Sequence, residues 1–568
     1  MEKIKSLSDN RSIFPNERSL RDTTNPAELN EEESLIAKTI EKFVLKQVIP
    51  NQDTLETHDY RSTRQLFNDA GELGLLGADV PEAYGGLAMG KKTGGVIAEK
   101  MGFSGSFSVA FNIHTGVGVL PYVYFGTEQQ KQTYLPKLAT GEWIGAYALT
   151  EPNAGSDALA PNTTAVWDSD SKEWVLNGEK QWITNAHIAN VYVVFAKTTK
   201  GMTAFIVERT MTGVSVGPEE KKLGINGSST ATLILQDVRI SEENRLGNIG
   251  KGHHIALNIL NLARLKLAFA NIGTSKQALS IAVNYGKERK QFQQAIVDFT
   301  MTQEKLANMA IAIYGAESTA YYTAGLLDQM DALLENEGDV VKHLTNYAID
   351  CAVNKVNASE ALDAIVDEAL QIHGGYGYMQ EYEIERLYRD ARINRIFEGT
   401  NEINRITIAK TFLKQYEQDN AIIEEETKQI QLESSSSFIR FSMRLLQIIS
   451  KALPHTKKQM VVKDQECLRL LADVIKELYV IKAALLRQRR ATDNQRIEQL
   501  ITEVLCEEGY RKIEAATISI ISSTITDNVE KQALLDEIKN LPIPLYTNLF
   551  SKKREIAIRV IESDGYCI

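Results

Sequence analysis

Residues 389–405 read RDARINRIFEGTNEINR, a run of bases interrupted by one Phe-Glu-Gly turn. Acids and bases spaced along the polar face of a surface helix form i,i+4 pairs, and that reading accounts for Asp390, Arg392, Arg395 and Glu402. It does not account for Glu398. Ile396 and Phe397 pull the chain inward ahead of this carboxylate, and Gly399 behind it permits a backbone bend or the close approach of a ligand. Two readings stand for Glu398 at this point, a structural carboxylate and a catalytic one.

Working outward, no proline occurs between Pro218 and Pro454, and amphipathic segments begin near Gly252, Thr302, Asp339 and Glu381. They read as four helices, and residues 251–415 as a four-helix bundle carrying Glu398. Upstream, residues 146–250 change to short β-rich runs such as VYVVFAKT and STATLILQDVRI, which alternate and are bounded by turns. This is a compact β domain. Residues 33–145 are helical in periodicity, punctuated by turns such as PEAYGG, and residues 1–32 read as a tail. Downstream, residues 416–437 form an acidic linker, and residues 438–568, with only two glycines, read as a further helical domain. The expected fold is mainly α with a central β domain, since 568 residues exceed the ~250 to 300 that one core supports.

Composition narrows the function classes. A net charge of −11 argues against a nucleic-acid backbone as partner. Cys351, Cys467, Cys506 and Cys567 lie far apart, so neither a disulfide framework nor a zinc site is read, and no metal is expected. The opening MEKIKSLSDNRSIFPNERSL lacks a signal-peptide core, and nothing later approaches the ~20 apolar residues of a bilayer span. A cytoplasmic location is expected.

Four further stretches carry chemistry. YALTEPNAGSD (147–157) combines the hydroxyls of Thr150 and Ser156 with a proline and a glycine, equipment for a polar ring and a phosphate without a Walker loop. In WIT (182–184), Trp182 and Thr184 share one strand face, which suits a planar heterocycle, although a core tryptophan is the commoner role. RKQF (289–292) offers a guanidinium fork and a ring, and QIHGGYGY (371–378) ends a helix in glycines that admit a ligand to the backbone.

In this order and at these spacings, YALTEPNAGSD, WITNA, RKQF, QIHGGYG and RDARINRIFEGTNEI resemble the acyl-CoA dehydrogenase family across residues 33–415. The tail from 438 looks like the extra domain of the very-long-chain branch. The resemblance implies an N-terminal helical domain, a β domain and a four-helix bundle, with FAD between the last two. Tyr147, Leu149, Thr150, Ser156, Trp182, Ile183 and Thr184 would hold its ring and ribityl chain, and Thr400 and Glu402 would touch it after the base. Arg289, Phe292, Gln371, Gly374 and Gly375 would reach the adenosine part of a flavin in a neighbouring subunit, so a homodimer is implied. Glu398 matches the family's catalytic base, which removes an α-proton from a fatty acyl-CoA thioester while the β-hydride goes to the flavin. Its backbone N–H and a ribityl hydroxyl would steady the enolate oxygen. Arg264 would orient charge near the base, and with Ser156 and Gly399 would contact substrate. Some branches carry the base immediately before this arginine, where this chain has Ala263.

The implied reaction is α,β-dehydrogenation to the trans-2-enoyl-CoA in fatty acid β-oxidation, with electron-transfer flavoprotein as acceptor. An acyl-CoA oxidase is the alternative within the fold. A nucleic-acid-associated relative is another, using the short basic stretches at 487–490 and 551–555, which solvated faces explain more simply. Acyl length is not read: the tail favours long chains by analogy, while Pro121 and Tyr122 near Gly116 and Gly118 would narrow or bend a deep pocket. Phe438, Phe441, Leu445 and Ile448 or Ile449 recur at helical spacing, a stripe that would seat the tail on the bundle or give weak membrane association.

Overall fold

The structure, a computed structural model, describes residues 29–331, 337–416, 437–452, 464–490, 495–541 and 546–568. The expected N-terminal tail up to residue 28 and the acidic linker at 417–436 lie outside the described residues. The first helix, α1 (Glu31–Phe43), starts two residues ahead of the expected boundary because Asn30 and Glu33 form a reciprocal capping box. It is followed by α2 (Tyr60–Glu72), α3 (Lys91–Met101), α4 (Ser106–Ile113), α5 (Leu120–Phe125) and α6 (Glu128–Thr140).

Between α4 and α5 the chain makes a π turn over His114–Gly118 that joins the helical domain to the β domain. The backbones of Gly118 and Gly145 approach so closely that a Cβ on Gly118 would lie 2.9 Å from the Gly145 carbonyl oxygen. His114 bridges the same joint: the Gly145 N–H donates to Nδ1 and Nε2 donates to the Leu138 carbonyl, both at 3.0 Å. Burial pushes this imidazole down to about 4, so it is neutral here.

The β domain is one eight-stranded sheet: β1 (Gly145–Ala148), β2 (Thr164–Asp168), β3 (Glu173–Thr184), β4 (Val191–Thr198), β5 (Gly201–Glu208), β6 (Val214–Glu219), β7 (Thr230–Ser241) and β8 (Arg245–Leu246). The order is β6-β7-β3-β2-β4-β5-β8, with β1 parallel to β4. β3 carries a bulge between Lys180 and Ile183, where Trp182 adopts φ +58°. A bulge re-aims a side chain, and the Trp182 indole emerges 58% exposed while Ile183 turns into the core.

The bundle begins with α7 (Gly252–Glu288), which passes between α3, α8 (Thr300–Asp331) and α10 (Ala348–His373). By length and composition α7 is apolar enough to cross a membrane, which the sequence reading did not expect, but it is mostly buried in this bundle. The expected third helix is split into α9 (Glu337–Asn346) and α10. The fourth is broken too: α11 (Glu383–Ala391) gives way to a 3-10 turn over Arg392–Arg395, and a further helix spans 401–416. The break falls on Glu398 and Gly399, at φ +56° and +81°, left-handed values that no α-helix accommodates.

The C-terminal domain comprises α13 (Ser437–Ala452), α14 (Gln465–Gln488), α15 (Gln495–Thr524), α16 (Asn528–Lys539) and α17 (Leu549–Glu562), counting the 401–416 helix as α12. The apolar stripe of α13 is covered by α14 and α15 of its own domain, while α14 and α17 are the helices that seat the domain on α8. Two residues of the short basic stretches are buried rather than solvated. Arg487 bonds Glu317 at 2.8 Å, and Lys553 pairs with Glu508 at 2.7 Å.

Candidate active site

Two consecutive left-handed residues, only one of them glycine, cost on the order of 1 to 3 kcal/mol and persist where surrounding groups hold them. Here the clamps are hydrogen bonds to the loop's own carbonyls. Arg264 of α7 donates through Nε to the Glu398 carbonyl at 3.0 Å and through Nη1 to Asn261 Oδ1 at 2.8 Å. Lys355 of α10 donates through Nζ to the Gly399 carbonyl at 2.8 Å and to Asn401 Oδ1 at 2.7 Å. Asn404, one turn into the following helix, donates to the carbonyls of Gly399 and Thr400. The Thr400 hydroxyl accepts from the Ile403 N–H and caps that helix.

Because both cations spend these donors on the loop's carbonyls and on the amide oxygens of Asn261 and Asn401, the Glu398 carboxylate is left free. Water reaches part of the residue through the cavity mouth, yet Oε2 is sealed and has no hydrogen-bond partner. Burial raises this carboxyl to about 7, and the charges of Arg264 and Lys355 only partly pull it back. Burial also drives the Lys355 ammonium down to about 7, with Glu398 opposing the shift. A carboxyl that titrates near neutrality in an apolar cleft is suited to general-base work.

Glu398 opens into a cavity with three main walls, completed by Val117 of the π turn, Ile225 of the β domain and Leu362 of α10. On α7, Ala263, Leu267, Ala270 and Thr274 line it along one face, at the spacing of successive helical turns. α4 runs antiparallel to this face, since Thr274 donates to the Gly102 carbonyl just before α4 while Lys266 donates to the Thr115 carbonyl just after it. Leu387, Asp390, Asn394 and Phe397 close the third side. Ala263 and Glu398 therefore face the same space, whereas Pro121 and Tyr122 do not line it. Tyr122 is fully buried in the core, so the expected narrowing by these two residues does not occur.

Burial, with the charge of nearby Glu398 adding to it, pushes the Tyr147 phenol well above its ordinary value, and its hydroxyl donates weakly to the Ala256 carbonyl at 3.4 Å. The Gln181 N–H donates to the Thr150 carbonyl, which brings Thr150 alongside the Trp182 bulge. Thr184 pairs with Thr230 at the end of β3, and Ser156 is exposed on the loop between β1 and β2. The side chains of Leu149 and Ile183 are buried in core, which leaves their main chain to meet a ligand. Beneath this surface Lys180 and Glu151 form a fully buried pair at 2.6 Å, and Lys180 also donates to the Leu149 carbonyl.

Arg289, Phe292, Gln371, Gly374 and Gly375 gather elsewhere, where α7 and α10 end. The Arg289 guanidinium lies over the Tyr376 ring at 5.4 Å, and Tyr285 donates to the His373 carbonyl. Phe292 is 89% exposed, and a Cβ added at Gly374 or Gly375 would meet nothing within 4 Å. The corner is open to a ligand but lies 26 residues along α7 from Ala263, ~39 Å at helical rise. Exposed flat side chains, hydroxyls and open glycine backbone at both places fit a flavin dinucleotide bound by its two ends. Glu402 is exposed at the start of the 401–416 helix. Lys355 and the Lys180–Glu151 pair were missed from the sequence; a lone lysine inside the apolar run DCAVNKVNASEAL was the available signal for the first.

Family models for the N-terminal, middle and C-terminal domains of acyl-CoA dehydrogenase match residues 30–142, 146–238 and 250–413, and a second C-terminal-domain model matches 446–540. A probable acyl-CoA dehydrogenase of Bacillus subtilis (strain 168) is 43% identical over 96% of both chains. The human mitochondrial very long-chain specific acyl-CoA dehydrogenase is 37% identical over 68% of this chain and 58% of its own. The crystal structure of an acyl-CoA dehydrogenase complexed with FAD from Bacillus anthracis is 41% identical, covers 98% of this chain and 99% of its own, and superimposes with a TM-score of 0.93.

Proposed function

The chain belongs to the acyl-CoA dehydrogenase family, with FAD as its cofactor, and we propose that it oxidises a fatty acyl-CoA to the trans-2-enoyl-CoA in β-oxidation. The observation that carries this reading is the free, basic Glu398 carboxylate facing a cavity whose walls include the apolar side chains of Ala263, Leu267, Val117 and Phe397. In that position Glu398 takes the α-proton of the thioester, and the Arg264 and Lys355 clamps keep its carboxylate from folding back onto the loop. Bound FAD supplies the acceptor for the β-hydride. Phe397, Leu267 and Ala270 exclude water from the chain of the substrate, which keeps Glu398 basic.

Tyr147, Thr150, Ser156, Trp182 and Thr184 hold the reacting half of the cofactor. The remote cluster of Arg289, Phe292, Gln371, Gly374 and Gly375 serves the adenosine end of a second copy's cofactor, so a homodimer completes each site. The ~39 Å along α7 between Ala263, beside Glu398, and the corner at Arg289 supports this division. Electron-transfer flavoprotein is the proposed acceptor, and the cytoplasm the proposed location.

The test is anaerobic reduction of the bound flavin by a saturated fatty acyl-CoA, followed at the flavin absorbance. Wild type bleaches, and Glu398→Gln keeps FAD and ligand but reduces ~10² to 10⁴ times more slowly. Equal rates in the two proteins would remove Glu398 as base. Rapid reoxidation by oxygen alone would replace the dehydrogenase reading with an oxidase.

A further inference from the structure

The cavity lining is mixed. Ala263, Val117, Ile113 and Phe397 give it apolar surface, and Lys266 and Asn394 are polar residues close to them in the chain. Farther along α7 and α4 come Asn271, Thr274, Ser108 and Asn112. Asn271 is 2% exposed, and its Nδ2 has no hydrogen-bond partner. Asn112 donates to Ser108 Oγ at 3.2 Å, but its Oδ1 is buried without a donor. A purely hydrocarbon chain lying here would leave an amide donor and an amide acceptor sealed and unpaired, which is costly.

We propose that this stretch is a subsite for a hydroxyl group carried on the acyl chain, with Asn271 and Asn112 as the residues that select it. The inference rests on the acyl-CoA reading of the cavity given above and deepens it. A hydroxyl accepts one hydrogen bond and donates one, the complement of a free amide Nδ2 and a free amide Oδ1. A carboxylate is disfavoured there, because the lysine in the lining, Lys266, is already engaged by Asp79 at 2.8 Å and by the Thr115 carbonyl. Asn271 lies eight residues beyond Ala263 on α7, ~12 Å at helical rise, so the hydroxyl sits roughly ten carbons from the thioester.

The experiment compares dodecanoyl-CoA with its 8-, 10- and 12-hydroxy derivatives on the FAD-loaded enzyme. Anaerobic flavin reduction gives kcat/KM. Titration of the Glu398→Gln protein, read from the perturbed flavin spectrum, gives Kd without turnover. Expected is a gain on the order of tenfold in both for one hydroxyl position, because a site built to hydrogen-bond a hydroxyl disfavours the analogue lacking it. Asn271→Leu, or Asn112→Leu should the first fail to fold, reverses the preference toward the plain chain. If the plain chain reduces the flavin and no hydroxyl position improves on it, ordered water fills the subsite and the proposal falls while the dehydrogenase reading stands. If no acyl-CoA of the series reduces the flavin, both fall.

Discussion

The pH dependence of flavin reduction follows from how Glu398 is held. A base acts only when ionised, and burial has raised this carboxyl to about 7. One unit below that value about one molecule in eleven carries the carboxylate, and one unit above it about ten in eleven do. The anaerobic kcat/KM for a fatty acyl-CoA therefore rises about tenfold between pH 6 and pH 8, with its midpoint near 7. Lys355→Met moves that midpoint upward, because removing a nearby cation disfavours the carboxylate, and the rate at pH 7 drops accordingly. A lysine that merely held the loop would lower the rate at every pH without moving the midpoint. Lys355→Arg, which retains charge and donors, brings the midpoint back toward wild type. A flat profile from pH 5.5 to 8.5, or a midpoint at the ordinary glutamate value, would refute the argument that burial tunes the base.

Because Ala263 and Glu398 face one cavity, Ala263→Glu placed in a Glu398→Gly background should restore part of the flavin reduction. No recovery in a protein that retains FAD would mean the two positions do not reach the same carbon. Asp79 is held by Lys91 at 3.0 Å and Lys266 at 2.8 Å, which keep its carboxyl well below the usual range. Asp79→Asn should cost about 3 to 5 kcal/mol in denaturant unfolding, since it removes the negative charge that balances two largely buried ammonium groups. The lowered carboxyl means that the stability it contributes is present above the ordinary aspartate pKa and lost as pH falls through its folded value, so the variant's deficit shrinks in acid. Glu317 is buried where the C-terminal domain meets the bundle, accepting from Tyr566 at 2.5 Å and Arg487 at 2.8 Å and pairing with Lys276. Glu317→Ala should speed proteolysis of residues 437–568 before the rest of the chain is cut, and uniform proteolysis would show that the junction depends on apolar contacts alone.

The local motifs were legible without coordinates. The proline-free run, the change from helical to alternating texture and the glycine after Glu398 are read over a few neighbouring residues, and propensity and backbone sterics act at that range. The same sterics explain why the fourth bundle helix stops short: a Phe-Glu-Gly turn held at positive φ ends one helix and starts another. Periodicity alone ran the segment together, because apolar spacing continues on both sides of the break. Arg264 was found through its place in a motif, but its actual partner is the Glu398 carbonyl, 134 residues away. Lys355 shows locally only as a lone lysine in an apolar run, for it becomes part of the site only when α10 is laid against the 398–401 loop. The same holds for Arg487, which reads as a surface base in RQRR and is buried against Glu317, 170 residues distant. Charge type and turn chemistry belong to the residue and its immediate neighbours. Burial, and with it the basicity of Glu398, depends on which distant helices close around a group, because desolvation is set by everything packed within a few ångströms and chain order does not encode that list.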